Sequence, residues 1–246
     1  MTRRAVIFLL GAAACLSTAC RDTVHRPADT AADTRELVVL VHGMGRTSLS
    51  MVPLQRDLRA AGYRVMSWGY SSYCCTIAEL GARLRRDVDA SRGAAPRIHF
   101  VGHSLGNILV RWMLTGETQP TGVGRGVMLA PPNQGSHSAD RYARWIGRLL
   151  RPLPELTTDS LSTVRRLPIP RHVAIGIIAA ERDGKVTVTQ THLAGSAQHV
   201  SVPGTHTFIM FRPDVRALVR AFLRDGKFPE PAVNSPIRVR RPNPPE

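Results

Sequence analysis

The chemistry in this chain concentrates around one serine set between two glycines. In Gly102-His103-Ser104-Leu105-Gly106 the hydroxyl of Ser104 is a weak nucleophile unless it is exposed, aimed and relieved of its proton by a neighbour. A sharp strand-to-helix turn gives that exposure, and it crowds its flanks so tightly that glycine is needed on both sides. The surroundings fit. An apolar, β-branched run at 97–101 precedes the motif, and a helical period at 107–114 follows it, with Gly116 as its stop. A second glycine turn, His42-Gly43-Met44-Gly45, leaves another apolar run at 37–41. Such a turn offers one backbone N–H to an oxyanion, and the residue after the nucleophile offers another. Those donors are the amides of Met44 and Leu105, each of a kind typically worth roughly 10²–10³ in rate.

An activated serine also needs an imidazole to take its proton and a carboxylate to orient that imidazole. In an elbow of this kind the acid follows the nucleophile in the chain and the base follows the acid. Asp183, in Glu181-Arg182-Asp183-Gly184, stands just past the apolar run 173–179, where the carboxyl end of a strand would present it. Glu181 competes for the same role, while Asp140 and Asp159 have no strand before them. Three histidines lie beyond Asp183. His192 follows too closely, and His199 opens a strand and is expected to pack. His206, in Gly204-Thr205-His206-Thr207, sits on a loop from which it can reach Ser104. Ser104, Asp183 and His206 are therefore the candidate catalytic residues, with His199 as the rival base.

These groups must be held by a scaffold. Six brief runs, at 37–41, 64–68, 98–101, 127–130, 173–179 and 199–202, are rich in β-branched residues, and several are apolar on both faces, as strands buried inside a parallel sheet are. Between them lie amphipathic helical periods. Leu54, Leu58 and Ala61 form one, Ile77, Leu80, Leu84 and Val88 a second, and Val215, Leu218, Val219, Phe222 and Leu223 a third. The alternation predicts an α/β fold, a mainly parallel sheet of about six strands with helices on both faces. Residues 133–170 interrupt the rhythm with a long, basic, lid-like insertion carrying one helix around 139–150. Residues 229–246 form a Pro- and Arg-rich tail, expected to be extended and mostly unpacked.

The start of the chain reads as an address rather than as fold. Residues 1–19 carry Arg3 and Arg4, an apolar run and a small-residue cleavage site, the pattern of a signal peptide. Cys20 then resembles the lipid-accepting cysteine of bacterial lipoproteins, so export, with or without membrane association through a lipidated Cys20, is expected. Residues 20–35 are a polar linker to a domain spanning 36–228. Cys74 and Cys75 are adjacent; they read as two small half-buried side chains, with a strained vicinal disulfide as the alternative. The net charge of +15 is spread along the chain, mostly as Arg, and no nucleic-acid motif accompanies it. No nucleic-acid partner is expected, and attraction to an anionic surface stays open.

Taken together, His42-Gly43-Met44-Gly45, Gly102-His103-Ser104-Leu105-Gly106, Asp183-Gly184-Lys185-Val186 and Gly204-Thr205-His206 resemble the small bacterial lipases and esterases of the α/β-hydrolase superfamily. The segment Ala130-Pro131-Pro132-Asn133-Gln134-Gly135-Ser136 is similar to the stretch that enters the lid of lipases, often Thr-Pro-His-x-Gly-Ser, but departs from it at Asn133-Gln134. The resemblance implies the α/β-hydrolase fold and hydrolysis of a small-molecule or lipid ester through an acyl-enzyme, with no metal or organic cofactor. Acyl transfer, or thioester or amide cleavage, is open to the same three residues. A non-catalytic envelope binding protein is the reading from another class, though it would have no reason to keep all three.

Overall fold

The structure, a computed structural model, describes residues 33–117, 119–196 and 198–230, with the backbone of 238–240. The signal-peptide and Cys20 expectations lie outside the described residues. The linker expectation largely does too.

Six parallel strands and one antiparallel edge strand form a single sheet in the order β2-β1-β3-β4-β5-β6-β7. They are β1 (Leu37–Val41), β2 (Arg64–Trp68), β3 (Ile98–His103), β4 (Val123–Leu129), β5 (Ala174–Ala180), β6 (Gln198–Val202) and β7 (Arg238–Arg240). Side chains alternate along a strand, so each strand feeds both faces. Leu37, Val39 and Val41 join one buried cluster, and Val38 and Leu40 join the other. Helices α2 (Ile77–Arg92) and α3 (Leu105–Thr115) cover the first face through Leu80, Leu84, Val88, Ile108 and Leu109. On the second face α1 (Val52–Ala60) and α6 (Pro213–Asp225) supply Leu54, Leu58, Val215, Leu218 and Phe222. Thr76 and Glu79 close a capping box at the start of α2, and Gly226 ends α6 with φ of 74°, a conformation that suits glycine.

The chain runs outward from β1 to β2, then returns to place β3 on the other side of β1. Loops leaving β1 and β3 thus diverge at a switch in strand order, where open α/β sheets form their clefts. Register sharpens this: Val41 pairs with Gly102 across β1 and β3, and Ala180 with Val202 across β5 and β6. The four loops that carry the candidate residues therefore leave the same edge of the sheet.

The insertion is ordered and tied down. It holds α4 (His137–Ile146), a 3-10 turn at Pro154–Leu156 and the short α5 (Thr163–Arg166). The buried Arg111 guanidinium on α3 donates to the carbonyls of Leu167, of Pro168 at 2.9 Å and of Asn133 at 3.4 Å, clasping both ends. Burial lowers the Arg111 pKa to about 10, still well above neutrality, so the clasp stays charged. Asn133 and Gln134, the departure from the lipase pattern, donate through their amides to the carbonyls of Thr191 and His192, both at 2.9 Å. The insertion is thereby pinned to the stretch that follows Asp183. In the tail, expected to be extended and mostly unpacked, Arg238–Arg240 pair antiparallel with β6. A proline-rich chain is already extended, so a short proline-free stretch can join a sheet edge. Among the described residues no helix is long and apolar enough to cross a membrane.

Candidate active site

Ser104 joins β3 to α3 with φ of 51° and ψ of −123°, a left-handed backbone that non-glycine residues adopt only when their surroundings enforce it. The enforcement is visible. The Ser104 amide donates to the Leu129 carbonyl at 3.0 Å, and the Ser104 carbonyl accepts from the Asn107 amide at 3.0 Å. A Cβ on Gly102 would stand 2.8 Å from the Asn107 nitrogen, and one on Gly106 only 2.3 Å from the Val41 carbonyl oxygen. Both glycines are therefore steric necessities, and α3 can start hard against the end of β1.

Asp183 and His206 converge on that serine. The His206 Nε2 lies 2.9 Å from the Ser104 hydroxyl, and its Nδ1 lies 2.7 Å from the Asp183 carboxylate. A carboxylate only accepts, so Nδ1 carries the proton and Nε2 is left as the acceptor facing the hydroxyl. The other Asp183 oxygen accepts from the amides of Lys185 and Val186 at 2.8 and 2.9 Å. The Asp183 side chain is 0% exposed and the His206 side chain 7%. Acid and base loops are also tied through their backbones, Glu181 donating to Val202 and Arg182 to Gly204, both at 3.0 Å.

The rival residues are placed elsewhere. Glu181 is exposed and accepts from Ser201 at 3.3 Å. Asp140 accepts from the Thr158 amide and hydroxyl, each at 2.8 Å, and Asp159 from the Leu161 amide. His199 is buried, 2.7 Å from the Thr191 hydroxyl, with its ring stacked on His192 at 4.1 Å. Cys74 and Cys75 are both free thiols; Cys75 is half-buried as expected, while Cys74 is exposed. Burial pushes the Cys75 thiol up to about 11. Among the described residues no group of three or more His, Cys, Asp or Glu side chains is spaced to hold a metal ion.

The oxyanion candidates Met44 and Leu105 belong to the turn after β1 and to the first residue after Ser104. A Cβ on Gly43 would lie 3.0 Å from the Ser104 Cβ, so the His42–Gly45 turn runs directly past the nucleophile. Leu105 opens α3, where N–H groups have no partner within the helix. Met44 lines the cavity beside Ser104 and His206. The turn is braced by residues that the sequence reading passed over. Ser72 accepts from the Gly45 amide at 2.9 Å, and the Tyr70 hydroxyl donates to the His42 carbonyl at 2.7 Å while its ring stacks on His42. Both follow the carboxyl end of β2, the position that singled out Asp183.

His103 is the other residue that reading left unused. It is buried, and its Nε2–H donates to the His206 carbonyl at 2.9 Å. Its Nδ1 has no hydrogen-bond partner among the described residues. Burial, followed by the adjoining His206, holds its pKa well below the ordinary imidazole value of 6.5. The unfolded chain thus binds this proton more readily than the folded one, so stability from this group is complete above about 6.5 and is lost as pH falls below it. His103→Gln keeps a donor for the His206 carbonyl without a titrating ring. It should flatten the fall in melting temperature between about pH 7 and about pH 5, followed by thermal denaturation. An unchanged slope would assign that loss to other groups.

The cavity around Ser104 has a volume of about 570 Å³ and is walled by Tyr142, Ile146, Leu150, Leu153, Leu156 and Val186. All but Val186 come from the insertion, so the segment that breaks the strand–helix rhythm builds most of the apolar wall.

Comparison with known proteins bears on the whole assembly. The sequence pattern described as the alpha/beta hydrolase family matches residues 38–168, more than half of the chain. No curated protein sequence matches. Among solved structures the chain is similar to the mature form of a lipase from Bacillus licheniformis, at 16% identity and a TM-score of 0.61, covering 82% of this chain and 96% of that one. It is similar to lipase B of Aspergillus fumigatus at 15% identity and a TM-score of 0.64, covering 82% of this chain and 56% of that one. A carboxylesterase structure from the thaumarchaeon Nitrososphaera gargenis aligns at 13% identity and a TM-score of 0.59, over 78% of this chain and 91% of that one. At these identities the likeness is one of fold.

Proposed function

This chain belongs to the alpha/beta hydrolase family, and from that premise we propose that it is a serine hydrolase that cleaves carboxylic esters through an acyl-enzyme on Ser104. The observation that carries the reading is the relay at the cavity floor, Ser104 to His206 at 2.9 Å and His206 to Asp183 at 2.7 Å. The names of the lipase and carboxylesterase relatives suggest the same substrate class, which the geometry must support on its own.

In the first step the Ser104 oxygen attacks the acyl carbon as its proton passes to His206 Nε2. The carbonyl π pair moves onto oxygen, where the Met44 and Leu105 amides would hold it. Collapse of that adduct breaks the ester C–O bond, and the proton on His206 leaves with the alcohol. A water molecule then gives a proton to His206 and attacks the acyl carbon, and return of that proton to Ser104 releases the acid. Asp183 stays ionised throughout and stabilises the imidazolium.

The apolar wall of Ile146, Leu150, Leu153 and Leu156 favours an acyl group longer than acetyl. A panel of nitrophenyl esters of graded chain length tests both the class and the wall. We expect turnover of the short esters, with kcat/KM rising by up to about fourfold per methylene over the first few carbons, the worth of about 0.8 kcal/mol for each one buried. No turnover of any ester would overturn the ester reading. A flat profile would remove the insertion as the acyl-binding wall. The same panel extended to thioesters and anilides separates ester cleavage from the other acyl chemistries.

A further inference from the structure

We infer that the insertion beside the catalytic cavity is a docking surface for an anionic lipid bilayer. Helix α4 touches the body through few side chains, and of its ten residues only Ala139 is buried. Tyr142 and Ile146 turn toward the cavity. Trp145 and Leu149, beyond them, stand outward at 76% and 74% exposure. Isolated exposed apolar residues are ordinary; here a large ring and a leucine both stand exposed within a segment whose Tyr142, Ile146 and Leu150 line the cavity. Phe208 and Phe211, on the loop that carries His206, are also exposed.

The charge around this patch identifies the occupant. Residues 137–151 contain Arg141, Arg144, Arg148 and Arg151 against one carboxylate, Asp140. That carboxylate is held by Thr158 and His137. Arg144 lies over the Trp145 ring, 5.6 Å from its centroid, so cation and aromatic ring are presented together. Lys185, which is exposed and lines the cavity, adds a further positive charge at its mouth. Apolar side chains to enter the acyl boundary and guanidiniums to meet headgroup phosphates are the two elements of an interfacial helix. A second copy of this chain is a poorer occupant, because a symmetric contact would set this cationic segment against itself. The docked orientation turns the cavity toward the lipid.

The inference does not rest on the ester reading, since docking needs no chemistry. The test uses the full chain with Ser104→Ala, which keeps vesicle lipids intact, and Cys20→Ser, which prevents an attached acyl chain. Vesicles of phosphatidylcholine with and without phosphatidylglycerol are followed by co-sedimentation and by tryptophan fluorescence. Trp68 is buried and Trp112 half-buried, so a blue shift on docking reports mainly Trp145. We expect binding to the anionic vesicles, weakening as salt is raised. Trp145→Ser with Leu149→Ser should lower it by at least roughly tenfold. Arg144→Gln with Arg148→Gln should lower it by roughly fivefold per residue. These side chains are on the surface, so the variants should melt like the parent. Undiminished binding by Trp145→Ser with Leu149→Ser would overturn the inference, as would equal binding to neutral and anionic vesicles. A concentration-dependent dimer, abolished by the same pair of substitutions, would assign the patch to a second copy instead.

Discussion

His206→Ala is expected to lower kcat/KM for a short-chain nitrophenyl ester by about 10⁵–10⁶-fold, the scale on which removing the base disables a serine nucleophile. The structure offers that base no substitute. His199 is buried against Thr191 and stacked on His192, and His103 holds the His206 carbonyl through its one proton-bearing nitrogen. The His206 side chain is buried in the floor of the cleft, so its loss should leave an active-site gap rather than an unfolded protein. A melting temperature within a few degrees of wild type would make the kinetic loss interpretable. His199→Gln, measured beside it, should keep most of the activity. Wild-type rates in His206→Ala, or the larger loss in His199→Gln, would transfer the base.

Asp183→Asn is expected to lower kcat by about 10⁴-fold with little change in KM, because it alters the tautomer rather than the pocket. The asparagine oxygen can still accept from the Lys185 and Val186 amides, as Asp183 does now. Its amide N–H₂ would then face His206 Nδ1, now 2.7 Å from a carboxylate oxygen. Two donors cannot face one another, so the imidazole must move its proton to Nε2 and lose its capacity to accept from Ser104. Since every heavy atom can stay in place, the effect isolates proton placement from shape. A loss of less than about tenfold would argue that the carboxylate is not the orienting group. Glu181, two residues away, would then need re-examination.

Much of this architecture was legible before the coordinates. Short β-branched runs bounded by glycine and charge gave the six parallel strands, because a strand buried on both faces has no polar positions to confuse the pattern. Gly102, Ser104 and Gly106 stood out because steric crowding at a tight bend admits so few residue types there. Asp183 and His206 were legible through chain order and strand ends alone, and the structure brings both to Ser104. What the sequence could not display is the hydrogen bonding that braces the site. Tyr70, Ser72 and His103 act on backbone groups, and a carbonyl or amide partner leaves no signature in residue type. The packing of the insertion was hidden for the same reason. Residue type alone does not single out Arg111 in an Arg-rich chain, yet it is buried against three carbonyls. The pairing of Arg238–Arg240 with β6 was not legible, because proline marks extended backbone whether or not that backbone finds a sheet edge.

The account stands on a hydroxyl whose proton has somewhere to go. Its most direct test is covalent capture: incubate the purified protein with a fluorophosphonate, then locate the adduct by peptide mass spectrometry. The expected result is one adduct, on the peptide bearing Ser104, that disappears in Ser104→Ala and forms far more slowly in His206→Ala. An adduct on another residue, or one that survives in Ser104→Ala, would contradict it.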